Sequence, residues 1–422
     1  MVDSELGRVL LTLRGFQWII GTKDDPYALL LRAASDDPHL LGRRVRERGP
    51  LYFSSAEAWV TATRAHAIIA LRDSRLCSRQ PDPPAGEPDG QRDPMPWEVP
   101  PLRAVLPLDD AFLNFGRADY EQLRRAADPV LGKDAVARHW FAVVAVWQER
   151  LARCCGEFDL MTDYARRATA DAVSVLFGLP VAEQDRFAEL CVGTASVLDA
   201  ILCPPSLNTA RRLTVSLTGI RDLFAEAIGA KRAAPANDLI SELLAVMGDA
   251  DVLAVCMLAA ATGVEVTANL VCNTMEALLA HPDHWQRVLA DRDLAGDAVE
   301  ETLRYAPPVR LQRLYATEDI ELAGQPVEAG CELVVLIEAV NRDPAGCTDD
   351  PDRFDITRRG PQPLSLVDCP QTALLDPLVR LQAVAAIQAI AAGLPGVHRT
   401  GDVLRRLRSP VTGGVLRLPV AS

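Results

Sequence analysis

Lysine is almost missing from this chain: Lys23, Lys133 and Lys231 are the only three among 44 basic residues. That bias fits a GC-rich genome and strips any single arginine of diagnostic weight. A positive balance is missing as well. The net charge of −13 argues against a nucleic-acid or anionic-membrane surface. CxxC spacing is absent: ten cysteines are scattered, and the only close pair, Cys154-Cys155, is adjacent. This speaks against a disulfide framework and suits a reducing cytosol. Cys191, Cys256 and Cys272 lie in apolar helical runs and are expected to act as small buried hydrophobes. The longest uncharged apolar run, Val252 to Val264, is too short to span a bilayer. Asp3 and Glu5 precede an apolar run broken by Arg14, which argues against a secretory signal. No GxSxG, HExxH, Walker or Rossmann fingerprint occurs. The expectation is a cytoplasmic protein with neither nucleic acid nor membrane among its partners.

What is present is enough for a large core. Apolar residues make up 49% of the chain and charged residues 24%. At 422 residues the length allows two or three domains, or one large helical domain. The stretch LYFSSAEAWVTATRAHAIIALR (51–72) reads as two short strands and a helix, with β-branched and aromatic residues bounded by turn formers. Residues 81–101 hold eight prolines in 21 positions, with Gly86 and Gly90, which predicts a long loop. From about 118 to 305 the pattern is mostly helical, and no internal repeat is visible. One long apolar helix is predicted from Asp251 to about Ala280, closed by His281-Pro282. Strands and loops follow over 309–363, then a final helix from about Pro377 to Ala392. The fold class expected is mainly α, with a small β region drawn from both ends of the chain.

Within EETLRYAPPVR, Glu301 and Arg304 lie three apart on one helix face. Alone, such a pair reads as an exposed ion pair contributing under about 1 kcal/mol. Its surroundings are more specific. ATGVEVTANL (261–270) and LLAHPDHWQRVLADRDL lie upstream; ATEDIELAG (316–324), VNRDPAGCTDDPDRFDITR (340–358) and LVRLQ (378–382) lie downstream. In order, spacing and wording, this resembles the bacterial cytochromes P-450, the haem-thiolate monooxygenases, from about Pro50 to Pro395. The resemblance implies a triangular helical body around a central long helix. It also implies a buried structural network joining Glu301 and Arg304 to the segment from Asn341 to Arg353, in which removing half a pair costs roughly 3–5 kcal/mol.

The same resemblance implies that the chemistry has gone. That family holds haem iron through a cysteine thiolate on a glycine-rich loop, FGxGxHxCxG. Residue by residue, the phenylalanine falls on Leu366 and the two loop glycines on Val367 and Cys369. The basic residue falls on Gln371, the ligand on Ala373 and the following glycine on Leu375. An alanine has no lone pair for iron, and Cys369, four places early, reads as an ordinary thiol. The family's acid–alcohol pair falls on Glu265 and Val266, and the small residue beside bound oxygen on Thr262. The haem-carboxylate contacts fall on Tyr120, Arg124 and Leu314, with Arg313 one place off. The expectation is a haem-free P-450-like chain with no cofactor and no catalytic residue. Glu265, without a partner, reads as a helix residue inherited with the fold rather than a general base. His281-Pro-Asp-His284 lacks a further His or Cys pair to complete four ligands, so no metal site is expected.

The segment ELGRVLLTLRGFQWIIGTKDDPYALLLRAASDDPH (5–39) is similar to the start of the auxiliary proteins that accompany deoxysugar glycosyltransferases in macrolide and anthracycline biosynthesis. Those proteins are themselves P-450-like without the cysteine ligand. The similarity implies a partner: a nucleotide-deoxysugar glycosyltransferase, bound and activated or stabilised within a heterotetramer. The division expected is an N-terminal segment, 1–49, in contact with that partner, and a single domain, 50–422. Leu13, Phe16, Trp18, Ile19 and Tyr27 form the candidate partner-binding set, because aromatics are enriched at binding hot spots. The rival reading has them covering the protein's own sheet edge. Two other functions stay open: a divergent monooxygenase using Cys369 or another ligand, and a haem-free small-molecule binder with its pocket beneath the 81–101 loop.

Overall fold

A computed structural model describes residues 3–34, 37–80, 100, 102–109, 115–346, 350–366 and 372–422. The expected 81–101 loop lies outside the described residues apart from Pro100, and so do Val367, Cys369 and Gln371. The stretch 51–72 folds as expected, into β1 (Tyr52–Phe53), β2 (Ala58–Thr61) and a helix over Arg64–Arg72. Three further strands complete a sheet: β3 (Leu76–Cys77), β4 (Gln312–Ala316) and β5 (Glu332–Val335), in the order β1-β2-β5-β4-β3. β2 and β5 run parallel, with Ala58 opposite Glu332 and Thr61 opposite Val335; the other pairs are antiparallel. The sheet thus joins the segment 52–77 to the segment 312–335. Side chains alternate along β4. Leu314 and Ala316 enter a small second core with Leu333 and Val335, while Arg313 and Tyr315 share the opposite face with Glu332 and Val334.

Ahead of the sheet come α1 (Asp3–Gly21), α2 (Pro26–Arg32) and α3 (Pro38–Glu47). The two Asp-Pro steps start α2 and α3: Asp25 and Asp37 cap, and a proline occupies the first helical position. Asp25 accepts from the N–H groups of Tyr27 and Ala28, both at 3.0 Å, and from the Ser54 hydroxyl at 2.8 Å. One carboxylate therefore caps α2 and ties it to the turn after β1. Leu10, Tyr27, Leu31 and Val45 enter the same hydrophobic core as the central helix.

That central helix runs from Asp249 to Ala280, two residues longer at its start than the sequence suggested. Its middle, Ala259–Gly263, widens into a π-helical turn, a device often found at functional sites. The central helix and the stretch Ala373–Gly393 are each long and apolar enough to cross a membrane, and the apolar window of the first lies wholly inside the core. The final helix, Asp376–Gly393, packs on both the central helix and the helix Trp140–Leu151. It buries Leu378, Val379, Ile387 and Ile390, at about 1.5–3 kcal/mol for each side chain.

Candidate functional site

The final helix is entered through a single 3₁₀ turn, Ala373–Leu375. Ala373, at the ligand position of the alignment, presents a methyl group. Two residues on, Leu375 is 2% exposed and points at the π-helical turn: a methyl added to Gly263 would lie 3.1 Å from Leu375 Cδ1. Loop and central helix therefore touch directly. Leu366 is fully buried and holds a φ of +69°, a conformation that costs a branched residue about 1–2 kcal/mol. The Thr372 hydroxyl donates to its carbonyl at 3.3 Å.

Tyr120 stands on the helix Arg117–Leu131 and is 5% exposed. Its hydroxyl accepts the Leu374 N–H at 2.9 Å, so it closes the loop instead of facing a ligand. Arg124 is exposed one turn further along the same helix. Leu314 sits in the second core, and the neighbouring Arg313 donates from Nη1 to the Ile201 carbonyl at 2.9 Å. A cavity of about 20 Å³ remains among Leu198, Ile201, Leu311, Gln312, Thr372 and Val411, room for about one water.

Glu265 does have partners, contrary to the sequence reading. Arg166 donates to it from Nε at 3.0 Å and Nη2 at 3.3 Å, and Arg406 from Nη2 at 3.0 Å. Asn269 Nδ2 adds a contact at 3.1 Å. Burial pushes the carboxyl pKa up, but the two guanidiniums outweigh it and hold the group below the ordinary glutamate value. A carboxylate so paired is a poor proton acceptor. It joins the central helix to the helix Arg166–Leu176 and to the C-terminal turn. Val266 beside it is buried, and the Thr262 hydroxyl donates to its own helix at Leu258 O, 2.7 Å away. Sequence spacing gave no signal for this cluster, because Arg166 and Arg406 lie 99 and 141 residues from Glu265.

Glu301 and Arg304 meet in two hydrogen bonds, at 2.8 and 2.7 Å, both side chains buried. Arg304 also reaches the carbonyls of Pro351 (2.7 Å) and Arg353 (2.9 Å), and Asn341 reaches Leu303 O at 3.2 Å. His281 lies tilted against Phe354 and His284 meets it edge-on, at 5.3 and 5.8 Å between ring centres. Among the described residues no group of three or more metal-ligating side chains is assembled. Cys191, Cys256 and Cys272 are buried, and burial pushes their thiols up.

The N-terminal candidates divide. Phe16, Trp18 and Ile19 are 57, 56 and 64% exposed on α1, joined by Leu11, which the sequence reading passed over. Leu13 is half-buried. Tyr27 is a correction: it is fully buried, and its hydroxyl donates to Glu332 Oε1 at 3.4 Å on β5. It packs on the protein's own sheet, where the Ser54 hydroxyl on Asp25 and Glu332 on the Tyr27 hydroxyl hold α2, long-range contacts that residue type alone does not convey.

A family model for Cytochrome P450 matches residues 208–359. The chain is 44% identical to Protein AknT of Streptomyces galilaeus over 100% of its own length and 96% of that protein. It is 30% identical to Cytochrome P450 family protein EryCII of Saccharopolyspora erythraea, over 98% of this chain and 97% of the other. The chain belongs to the cytochrome P450 family. A solved P450 agrees in fold: the crystal structure of Mycobacterium smegmatis CYP164A2 with econazole bound matches with a TM-score of 0.78 at 26% identity, over 94% of this chain and 99% of that one.

The family's haem does not fit the described residues. Ala373 offers no donor atom, Leu375 and Gly263 are in contact where a macrocycle would have to lie between loop and helix, and Tyr120 is engaged with the loop backbone. A P450 haem needs a thiolate ligand and a glycine-lined approach to the porphyrin.

Proposed function

We propose that this P450-family chain is a haem-free, non-catalytic auxiliary protein. It binds and activates or stabilises a nucleotide-deoxysugar glycosyltransferase of macrolide or anthracycline biosynthesis, in the cytoplasm and as a heterotetramer. The observation that carries this reading is the contact of Leu375 with Gly263 beside a methyl at the ligand position. Ala373, Leu366, Gln371, Tyr120, Leu314 and Val266 are positions where haem or oxygen contacts have been replaced, and Glu301 and Arg304 are structural. Likeness to AknT along the whole chain, N-terminal segment included, supports the auxiliary role. Segment 1–49 supplies the docking face, through Leu11, Phe16, Trp18 and Ile19 on α1, with Leu13 at its edge; the body, 50–422, is its platform.

Activation requires no chemistry from this chain. A transferase that populates its competent state only fractionally is shifted toward it by any partner that binds that state better. A coupling of about 1–3 kcal/mol corresponds to roughly 5–150-fold. Covering apolar transferase surface also suppresses aggregation. The test is co-expression with a deoxysugar glycosyltransferase of such a pathway. Soluble, active transferase should increase, and the chain alone should turn nothing over; a transferase equally soluble and active without it refutes the proposal.

A second reading draws on one observation, a cleft of about 250 Å³ lined by Phe16, Ile20, Ser78, Gln80, Leu102 and Arg313, beside the ends of the proline-rich segment. A haem-free binder of small molecules would use it, and ligand-induced thermal shifts would detect the binding.

A further inference from the structure

Between α1 and the C-terminal turn lies the segment 195–206; Arg406 Nη1 donates to Ala195 O at 2.6 Å and Arg313 Nη1 to Ile201 O at 2.9 Å, and a buried carboxylate adds the most extensive tie to the turn. Asp199 is 3% exposed. Its Oδ1 accepts the N–H groups of Val411 (2.9 Å) and Thr412 (3.1 Å), and its Oδ2 accepts the hydroxyls of Ser409 and Thr412, both at 2.7 Å. Four donors on two oxygens fill the acceptor capacity of an ionised carboxylate. All four come from the turn around 409–412, more than 200 residues away in sequence.

The same segment carries α1. Gln17 Nε2 donates to Leu202 O at 2.6 Å and Arg14 Nε to Pro204 O at 3.0 Å. From the C-terminal turn, Arg408 Nη2 donates to Gln17 Oε1 at 3.0 Å. Cys203 Sγ donates to Leu31 O at 3.3 Å, which holds α2 to the same support. α1 buries only Val9, Leu10, Ile20 and Gly21, while Leu11, Phe16, Trp18 and Ile19 look outward. A 19-residue helix with so small an inner face depends on its polar tethers for its orientation. Arg408 holds a φ of +57°, a conformation unfavourable for arginine, so the turn that carries it needs outside support. Asp199, bonded to the next residue and to Val411 and Thr412, supplies that support.

We infer that Asp199 is a positioning residue: by locking the 195–206 segment to the C-terminal turn, it fixes the two supports of the C-terminal half of α1, whose first turn is held separately by Arg211 on Asp3, and hence the orientation of its outward apolar face. The inference rests on the docking reading for the importance of that face, but the orientation of α1 is measurable without a partner. Hydrogen–deuterium exchange on the full chain is the test, comparing wild type with Asp199→Ala and Asp199→Asn. Asp199→Ala should speed exchange about tenfold or more in 3–21 and 195–206, while 249–280 keeps its protection. Asp199→Asn, whose carbonyl still accepts the two N–H groups, should restore most of the protection. If Asp199→Ala does not fold, Ser409→Ala with Thr412→Val removes the two hydroxyl donors and should give the same pattern more weakly. Unchanged exchange in α1, or an Asn variant as damaged as the Ala variant, overturns the inference. Capture of co-expressed transferase should fall in parallel with α1 protection. Faster α1 exchange with undiminished capture would instead overturn the docking reading and leave the positioning role standing.

Discussion

Glu301→Ala separates a structural pair from a catalytic one. Glu301 accepts from Arg304 at 2.8 and 2.7 Å, from the Asp355 N–H at 2.8 Å and from Arg358 Nε at 3.4 Å. It is 5% exposed and Arg304 is 7% exposed where they line a cleft of about 730 Å³, so water replaces the lost acceptor only in part. After the substitution Arg304 keeps the carbonyls of Pro351 and Arg353 but faces no carboxylate. Removing one partner of a buried pair costs about 3–5 kcal/mol. An unfolding entropy of about 2.1 cal/mol/K per residue over 422 residues comes to roughly 0.9 kcal/mol/K, which converts that cost to about 3–6 °C in the unfolding midpoint. Differential scanning calorimetry reads it directly. Glu301→Ala with Arg304→Ala should lose less than the two single variants summed, because the second removes a charge the first has stranded. A midpoint shift under about 1 °C, or strict additivity, would refute the claim that this pair holds the fold.

Three further outcomes are expected. Ala373→Cys alone should yield no Soret band after expression with a haem precursor, because Leu375 still abuts Gly263; a stoichiometric haem complex from that single change would contradict the steric argument. Glu265 has a depressed folded pKa, so its stabilising effect is complete above the unfolded glutamate range and is lost as pH falls through the folded value. Urea midpoints of wild type should therefore fall more steeply than those of Glu265→Gln below roughly pH 4–5, and parallel curves would deny the pairing with Arg166 and Arg406. Phe16→Ala with Trp18→Ala should weaken transferase binding at least about tenfold, with a midpoint change of no more than about 1 °C in the isolated chain; equal affinity in a calorimetric titration would remove α1 from the interface.

Much of the architecture was readable because it is written in local pattern. The strands of 51–72, the apolar run that becomes the central helix and the Glu301–Arg304 spacing each follow from periodicity or a short motif. The replacements at Leu366, Ala373 and Leu375 were readable by alignment with a family loop, and that at Tyr120 by the family's haem-carboxylate contacts. What those replacements do instead was not. That Tyr120 accepts the Leu374 N–H, or that Leu375 meets Gly263, depends on helices brought together over 254 residues in the first case. Glu265 and Asp199 were misread or missed for the same reason: a buried carboxylate is understood from its donors, and these arrive from distant segments. Tyr27 shows the converse error, since an aromatic next to Pro26 looks the same in sequence whether its helix turns toward solvent or toward the sheet.

The central claim is that this scaffold has exchanged a haem for side-chain packing. The most direct measurement is the visible spectrum and iron content of the wild-type chain purified after expression with a haem precursor. A colourless protein without stoichiometric iron is the predicted result; a Soret band with one iron per chain and a sulfur ligand would contradict it.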